Sequence, residues 1–335
     1  MTLKPPTSSR MVAILVLSLC CGSLSRAQFI ERPLISGREA VVTSLEPLAS
    51  MAGMRILQEG GNAFDAAVAT ALAVGVVDPR MSSIGGNGFA TIYVAKTKEV
   101  RALNFYGTAP KKATREVYAG KDYSHGVLSV PVPSALKGYE ALHKAYGRLA
   151  WAKVVQPAIE LAENGFVIEQ PLADDFRESE KELAKIPSAA KVFLPSGRAP
   201  KAGEILRQSD LARTLREVAQ YGADVFYHGP IGERIAEYFR ANGGVLGADD
   251  LADYQAKWLT PISTTYRGYA VYTQPPSSSA IAVLEQLNIL EGYDLKALSH
   301  SLRLLVVEKS HRWSILLSVS SRYHFSDTLR HSEVL

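Results

Sequence analysis

Cysteine is nearly absent from this chain: Cys20 and Cys21 are its only two, and none follows residue 21. Everything downstream is therefore without a disulfide framework, a thiolate nucleophile or a cysteine-held metal. Long apolar runs are also missing. Met11–Cys20, interrupted by Ser18, falls short of the ~20 residues that span a bilayer. Neither sign of charge dominates, with 37 Lys and Arg against 33 Asp and Glu and a net charge of +4. No basic stripe interleaved with aromatics occurs, so a nucleic-acid partner is not expected. Internal repeats and low-complexity linkers are absent too. What remains is ordinary globular composition, 47% apolar and 21% charged over 335 residues, enough for one large core.

The N-terminus has the layout of an export signal. Lys4 and Arg10 precede the apolar run, and Ser25-Arg26-Ala27 places small side chains where a signal peptidase reads. Cleavage after Ala27 is expected, with lipidation at Cys20 or Cys21 as the alternative. The resulting division is 1–27 signal peptide, 28–40 lead-in, 41–294 one globular domain and 295–335 a divergent tail. After Gly292 the sequence contains neither glycine nor proline. Two readings of that tail stand side by side: a helix with a frayed end, or a reading frame disturbed near Leu302–His311.

Between these ends, periodicity and punctuation predict helices at 46–59, 63–77, 134–146, 152–163, 170–186, 209–221, 230–242, 248–254 and 280–292. Gly60-Gly61 suit a left-handed cap closing the first of these. Asn62, with Asp65 three residues on, suits the N-cap of the second. That second helix is apolar on nearly every face and belongs in a core. Strands are predicted at 89–95 and 100–105 around the polar turn Lys96-Thr-Lys-Glu, and at 262–266 and 269–273. Many helices beside few strands imply a layered α+β or α/β/α architecture.

No complete active site is written in the residues. Gly85-Gly86-Asn87-Gly88 lacks the Lys-Ser/Thr of a phosphate loop, leaves a helix and enters a strand, so close backbone packing explains it better. The seven histidines share no ligand spacing. Asp174-Asp175 and Asp249-Asp250 fall in the first turns of predicted helices, where the dipole accounts for them. No Gly-x-Ser-x-Gly elbow occurs. No metal and no cofactor are expected.

Several stretches in collinear order resemble the γ-glutamyltransferase (glutathione hydrolase) family. They are Val42-Thr43-Ser44, Ile56 to Ala69 with its Glu-Gly-Gly-Asn-Ala-Phe-Asp-Ala-Ala block, Ile84 to Phe89, Ala109 to Thr114, Val154 to Ala158, Leu161 to Phe166, Asp249 to Tyr254, Thr260-Pro261-Ile262, Tyr266 to Tyr269 and Pro275 to Ser278. The resemblance covers about Val41 to Asp294. It implies an α+β fold of the N-terminal-nucleophile hydrolase type, an αββα sandwich of which this chain is the large-subunit part and therefore incomplete.

The same resemblance implies a precursor that cuts itself to expose a threonine, whose α-amine can activate its own hydroxyl. That threonine begins the small subunit, and no threonine of this sequence lies in a matching context. A small-subunit partner, a γ-glutamyl or other acyl amide substrate, a periplasmic or secreted location and no turnover by the chain alone are the corresponding expectations. The family's arginine for the substrate α-carboxylate falls at Tyr106, in Asn104-Phe-Tyr-Gly-Thr-Ala-Pro110. A phenol cannot make a bidentate, charge-assisted clamp. Arg101 or Lys111 are the nearby substitutes, and an acylase of the cephalosporin type or a non-catalytic binding remnant are the alternative functions. Tyr106 is expected to line the acyl pocket, with Gly85, Gly86 and Gly88 shaping its floor.

Overall fold

In the computed structural model, residues 35–299 and 301–311 can be described. The segment expected to serve as an export signal, both cysteines and the last part of the tail lie outside them. The chain divides into two units, 1–41 and 42–335. Within the first, residues 35–41 are exposed and form neither helix nor strand.

The second unit is built around the central helix Ala63–Val77, ten of whose residues are buried. Asn62 caps it by accepting from the backbone N–H groups of Phe64 and Asp65, while Asp65 Oδ2 accepts from Asn62 N at 2.9 Å. The reciprocal arrangement satisfies donors that the first turn would otherwise leave orphaned. Asp65 does more than this cap requires. Fully buried, it also accepts from the N–H groups of Arg148 and Leu149, and so fixes a loop more than eighty residues away in sequence. The preceding helix, Pro47–Gln58, ends where Gly60 takes a φ of +91° and Gly60 and Gly61 donate back to Leu57 and Ile56. These are the paired bonds of a Schellman turn.

Helix Trp151–Asn164 packs on the central helix and helix Ser209–Tyr221 packs on Trp151–Asn164 in turn, while Gln208 Nε2 reaches the carbonyl of Val76 at 2.7 Å. The predicted helix 170–186 is observed as Gln170–Ala184, and a further short helix not foreseen from the sequence, Pro187–Phe193, follows it with Pro187 in its first turn. Asp174 and Asp175 sit in the second turn of Gln170–Ala184, not the first. Gln170 and Arg177 hold Asp174, and Arg80 holds Asp175, so side-chain partners rather than the dipole account for this pair. Asp249 and Asp250 do lie in the first turn of Ala248–Ala252.

The principal sheet is antiparallel in the order β1 (Gly88–Val94), β2 (Glu99–Phe105), β5 (Lys257–Leu259). Two residue pairs, Phe166–Val167 (β3) and Ile205–Leu206 (β4), form a short antiparallel ladder elsewhere. Three-residue β5 and the two-residue ladder are too short to carry a period, which is why sequence does not reveal them. A separate hairpin, β6 (Ile262–Tyr266) and β7 (Tyr269–Thr273), turns tightly on Arg267 and Gly268, both at positive φ. Two such residues match the right-handed twist of the flanking strands. Helix Ile281–Glu291 packs on β6, with Glu291 accepting from Arg267 N and Thr264 bonding Asn288. Residues 301–311 form a further helix.

The architecture is α+β. Leu103 and Phe105 face the helical layer, and Phe105 lies against Gly138 of helix Ala135–Tyr146, where a β-carbon would approach the ring to 2.1 Å. No described helix is long and apolar enough to cross a membrane.

Candidate functional site

Alternation along β1 and β2 divides the principal sheet into two faces. Ala90, Leu103 and Phe105 point at the helices, so Phe89, Thr91, Tyr93, Asn104 and Tyr106 take the opposite side. That second face is largely uncovered by described residues, with Thr91 and Tyr93 exposed and Tyr106 47% exposed. Phe89 lies opposite Asn104, making Tyr106 its diagonal neighbour. The two rings stack with centroids 5.3 Å apart and planes 16° from parallel.

The backbone bearing Tyr106 is held from several directions. Its N–H donates to Asn104 Oδ1 at 2.9 Å, and its carbonyl accepts from Tyr254 Oη at 3.1 Å. Thr108 O accepts from Val132 N, and Lys111 N donates to Asp250 Oδ1. Asp250 Oδ2 meanwhile accepts from Gly247 N, joining this loop to helix Ala248–Ala252. The phenol is thus presented by a fixed segment, although the side chain itself is half in solvent.

The glycine loop is fastened with equal care. Ser134 is fully buried, and its Oγ donates to Phe105 O at 2.7 Å with Gly86 O as a longer second acceptor. Gly86 O also accepts from Ser134 N and Ala135 N. One carbonyl therefore ties the loop to the first turn of helix Ala135–Tyr146. The N–H groups of Gly85 and Gly86 turn back onto Ser83, so they are not arrayed for a phosphate. Gly88 has a steric reason: a β-carbon there would come within 2.8 Å of the Phe105 ring. Gly85 has none, since its nearest such contact is 3.6 Å.

Neither nearby cation takes the place of an arginine at Tyr106. Arg101 lies five residues back along β2, about 17 Å at the usual strand rise. Its guanidinium donates to Tyr146 Oη at 2.9 Å and sits 4.9 Å over the Trp258 ring. Lys111 Nζ is bound by Asp253 at 2.5 Å and Asp249 at 3.3 Å, and the hydrogen bond to Asp253 holds its pKa above the ordinary lysine value. The histidines are equally dispersed: His143 Nε2 meets Leu149 O, and His228 Nε2 meets Ala252 O.

Three features of this site escaped the sequence reading. The Phe89 partner was implicit in the hairpin register. Ser134 gave no signal, because a buried serine before a helix looks like any N-cap. Gln274, just past β7, is 4% exposed and reaches across to β1, where its Nε2 donates to Ala90 O at 2.7 Å and Thr91 Oγ1 at 3.0 Å.

The family described as Gamma-glutamyltranspeptidase matches residues 49–316, through the helix at 301–311. The chain is 40% identical over 272 residues to the "Glutathione hydrolase-like YwrD proenzyme" of Bacillus subtilis (strain 168), covering 79% of this chain and 51% of that protein. It is 41% identical over 283 residues to the "Acylase ACY 1 proenzyme" of Pseudomonas sp. (strain SE83), covering 80% and 50%. Among solved structures, the gamma-glutamyltranspeptidase of Helicobacter pylori superposes with a TM-score of 0.81 at 36% identity, covering 84% of each chain. The chain spans about half the length of the curated relatives it matches.

Proposed function

The chain belongs to the gamma-glutamyltranspeptidase family, and from that premise we propose that it forms the large-subunit part of an acyl-transferring amidase. The fold is that of the N-terminal-nucleophile hydrolases. Its catalytic threonine comes from a small-subunit segment that completes the sandwich over the open face of the principal sheet. The names of the relatives, each a proenzyme, support such a two-part product.

The reaction in this reading is covalent. The threonine oxygen bonds to the acyl carbon as the amide C–N bond breaks. The hydroxyl proton passes through the threonine's own α-amine to the departing nitrogen. Water or an amine then attacks the ester and transfers a proton back to the threonine oxygen. Residues of this chain bind and orient; they do not react. Tyr106 lines the acyl pocket from its fixed segment, and the loop of Gly85, Gly86 and Gly88 sets the end of β1 and hence the floor. Phe105, filling the space left by Gly88 and Gly138, keeps that floor in register with the helical layer.

The observation that carries this reading is the stacked, half-exposed Tyr106 on a sheet face that also exposes Thr91 and Tyr93. Coexpression with the half of the Bacillus subtilis relative that this chain does not match tests it. Intact-mass spectrometry after addition of acyl amides is expected to show the partner heavier by one acyl group. A well-formed complex that acquires no acyl group from any amide would sink the assignment. Export is part of the same proposal, with processing after Ala27, and fractionation of expressing cells followed by N-terminal sequencing checks it.

A further inference from the structure

Four carboxylate side chains among the described residues are buried: Asp65, Asp78, Glu140 and Asp250. Three of them are matched by donors. Asp65 accepts from the N–H groups of Asn62, Arg148 and Leu149, Glu140 from Ala223 N, and Asp250 from Gly247 N and Lys111 N. Asp78 is the exception. It is 8% exposed, and among the described residues its carboxylate meets neither a hydrogen-bond donor nor a cation. A charge taken out of water without a partner is costly.

Its surroundings are acidic. Asp78 ends the central helix, Glu46 precedes helix Pro47–Gln58, and Glu169 precedes helix Gln170–Ala184. Glu46 and Glu169 line one small cavity of about 40 Å³, whose other walls include Leu48, Phe166, Leu172 and Val77, the neighbour of Asp78. Neither glutamate caps its own helix with its side chain. Burial, then the charge of Asp78, then that of Glu169, push the Glu46 pKa above the ordinary glutamate value. No cation offsets them. Residues 41–50 hold no other charged side chain, and the hydroxyls of Ser44 and Ser50 bond each other. Arg80, the cation nearest to Asp78 in sequence, is committed to Asp175. Among the described residues no three acidic, cysteine or histidine side chains are arranged to hold a metal ion, so a proton is the simplest relief.

We propose that Glu46, Asp78 and Glu169 form an acid-responsive clasp joining three helix ends, closed when Glu46 is protonated and loosened by like-charge repulsion when it is not. The clasp stands apart from the acyl-amidase reading. Protonated Glu46 is neutral and offers an O–H to carboxylates that it otherwise repels. Asp78 O accepts from Met81 N and Ser82 N, and Ser83 next receives the N–H groups of Gly85 and Gly86. The clasp thus lies at the root of the turn that leads into the glycine loop. A carboxyl raised by folding contributes stability fully below its unfolded pKa and loses it as pH rises through the folded value. The junction is therefore tightest in mild acid and loosens towards neutral pH.

The purified chain itself provides the test, between about pH 4 and about pH 7.5. The side-chain carboxyl carbon of Glu46, followed by NMR and assigned by through-bond correlation, needs no variant and should titrate above the usual glutamate range. Asp78→Asn should bring that midpoint down. Glu46→Gln, which mimics the protonated form, is expected to melt higher than the wild type at neutral pH and to lose the advantage at the acid end. Hydrogen-exchange protection of the Ala49, Ser50, Met81 and Ser82 amides should rise as the wild type is acidified and stay level in Glu46→Gln. A Glu46 carboxyl that titrates like a free glutamate would overturn the clasp. So would a gain from Glu46→Gln that is equal at both ends of the range, or protection that follows pH alike in both proteins. A midpoint unmoved by Asp78→Asn would leave burial as the whole cause and remove the clasp as well.

Discussion

The helical body and the carboxy-terminal hairpin with its helices differ in how they dispose of apolar side chains. In the body, Ile56, Leu72, Leu103, Leu136, Leu215 and Leu251 are each at most 1% exposed. Its polar groups reach across long separations, as Asp65 does to Arg148 and Gln208 to Val76. Beyond residue 260 the balance reverses. Tyr269, Tyr272 and Val283 are exposed, and so are Leu302, Leu304, Leu305 and Val307 of the last described helix, while Leu284 and Leu290 are the buried aliphatic residues. Apart from Gln274, hydrogen bonds there stay within the region, such as Thr264 to Asn288 and Arg267 to Glu291, each 24 positions apart. Contiguous exposed apolar surface marks an interaction site. Under the proposed function, a small-subunit segment covers the open face of the principal sheet in the body and the exposed apolar residues of the hairpin region.

The comparison breaks most sharply at Asp65. Asp65→Ala should cost about 3–5 kcal/mol by stranding the N–H groups of Asn62, Arg148 and Leu149 in the interior. Urea unfolding followed by circular dichroism would register it as a large fall in midpoint. Gly138→Ala comes next, at about 1–3 kcal/mol, because the added carbon meets Phe105 in a packed layer. Its signature is a lowered thermal midpoint together with a shift in the Phe105 ring resonances.

Acidity separates Asp224 in the body from Glu285 in the hairpin region by sign. The hydrogen bond from Lys137 lowers the pKa of Asp224 in the body. A depressed carboxyl contributes stability above its unfolded pKa and loses it as pH falls through the folded value. Burial raises the pKa of Glu285 in the hairpin region, where Oε2 has no partner among the described residues. A raised carboxyl contributes fully below its unfolded pKa and loses that contribution as pH rises through the folded one. Asp224→Asn should therefore lower the melting temperature at neutral pH and lose its effect in acid, by less than about 1 kcal/mol because Asp224 is well exposed. Glu285→Gln should raise the melting temperature at neutral pH, the gain shrinking as the sample is acidified. Melts at about pH 7 and about pH 4 decide both.

The smallest effect sharpens the comparison from the other side. Leu304→Glu should alter the stability of the chain by no more than about 0.5 kcal/mol, since Leu304 is exposed. Association with a small-subunit partner should suffer instead, measured as reduced copurification. A large drop in melting temperature would show that this helix serves the body.

Much of the fold was legible because local rules and tertiary demand agreed. The central helix declared itself by being apolar on every face, its cap by Asn62 and Asp65, and its predecessor's end by Gly60-Gly61. The hairpin β1–β2 followed from alternation around a polar turn. The pair Asp174-Asp175 lies a turn past the start of Gln170–Ala184, a start the sequence itself marked, and is held by side-chain partners that only the fold supplies. Tyr106 was identified through resemblance, by an arginine that is not there, whereas Phe89 and Gln274 were silent.

By itself the sequence determined the family, the α+β class and the positions of nearly all helices and strands longer than four residues. Those depend on periodicity, caps and turn chemistry, which act over a few residues. The tertiary structure alone decided that Tyr106 stacks on Phe89, that Arg101 and Lys111 are engaged elsewhere, and that Gln274 crosses from the hairpin to the edge of β1. Such contacts join residues up to 184 positions apart, and no local pattern encodes a distance that only the folded chain closes.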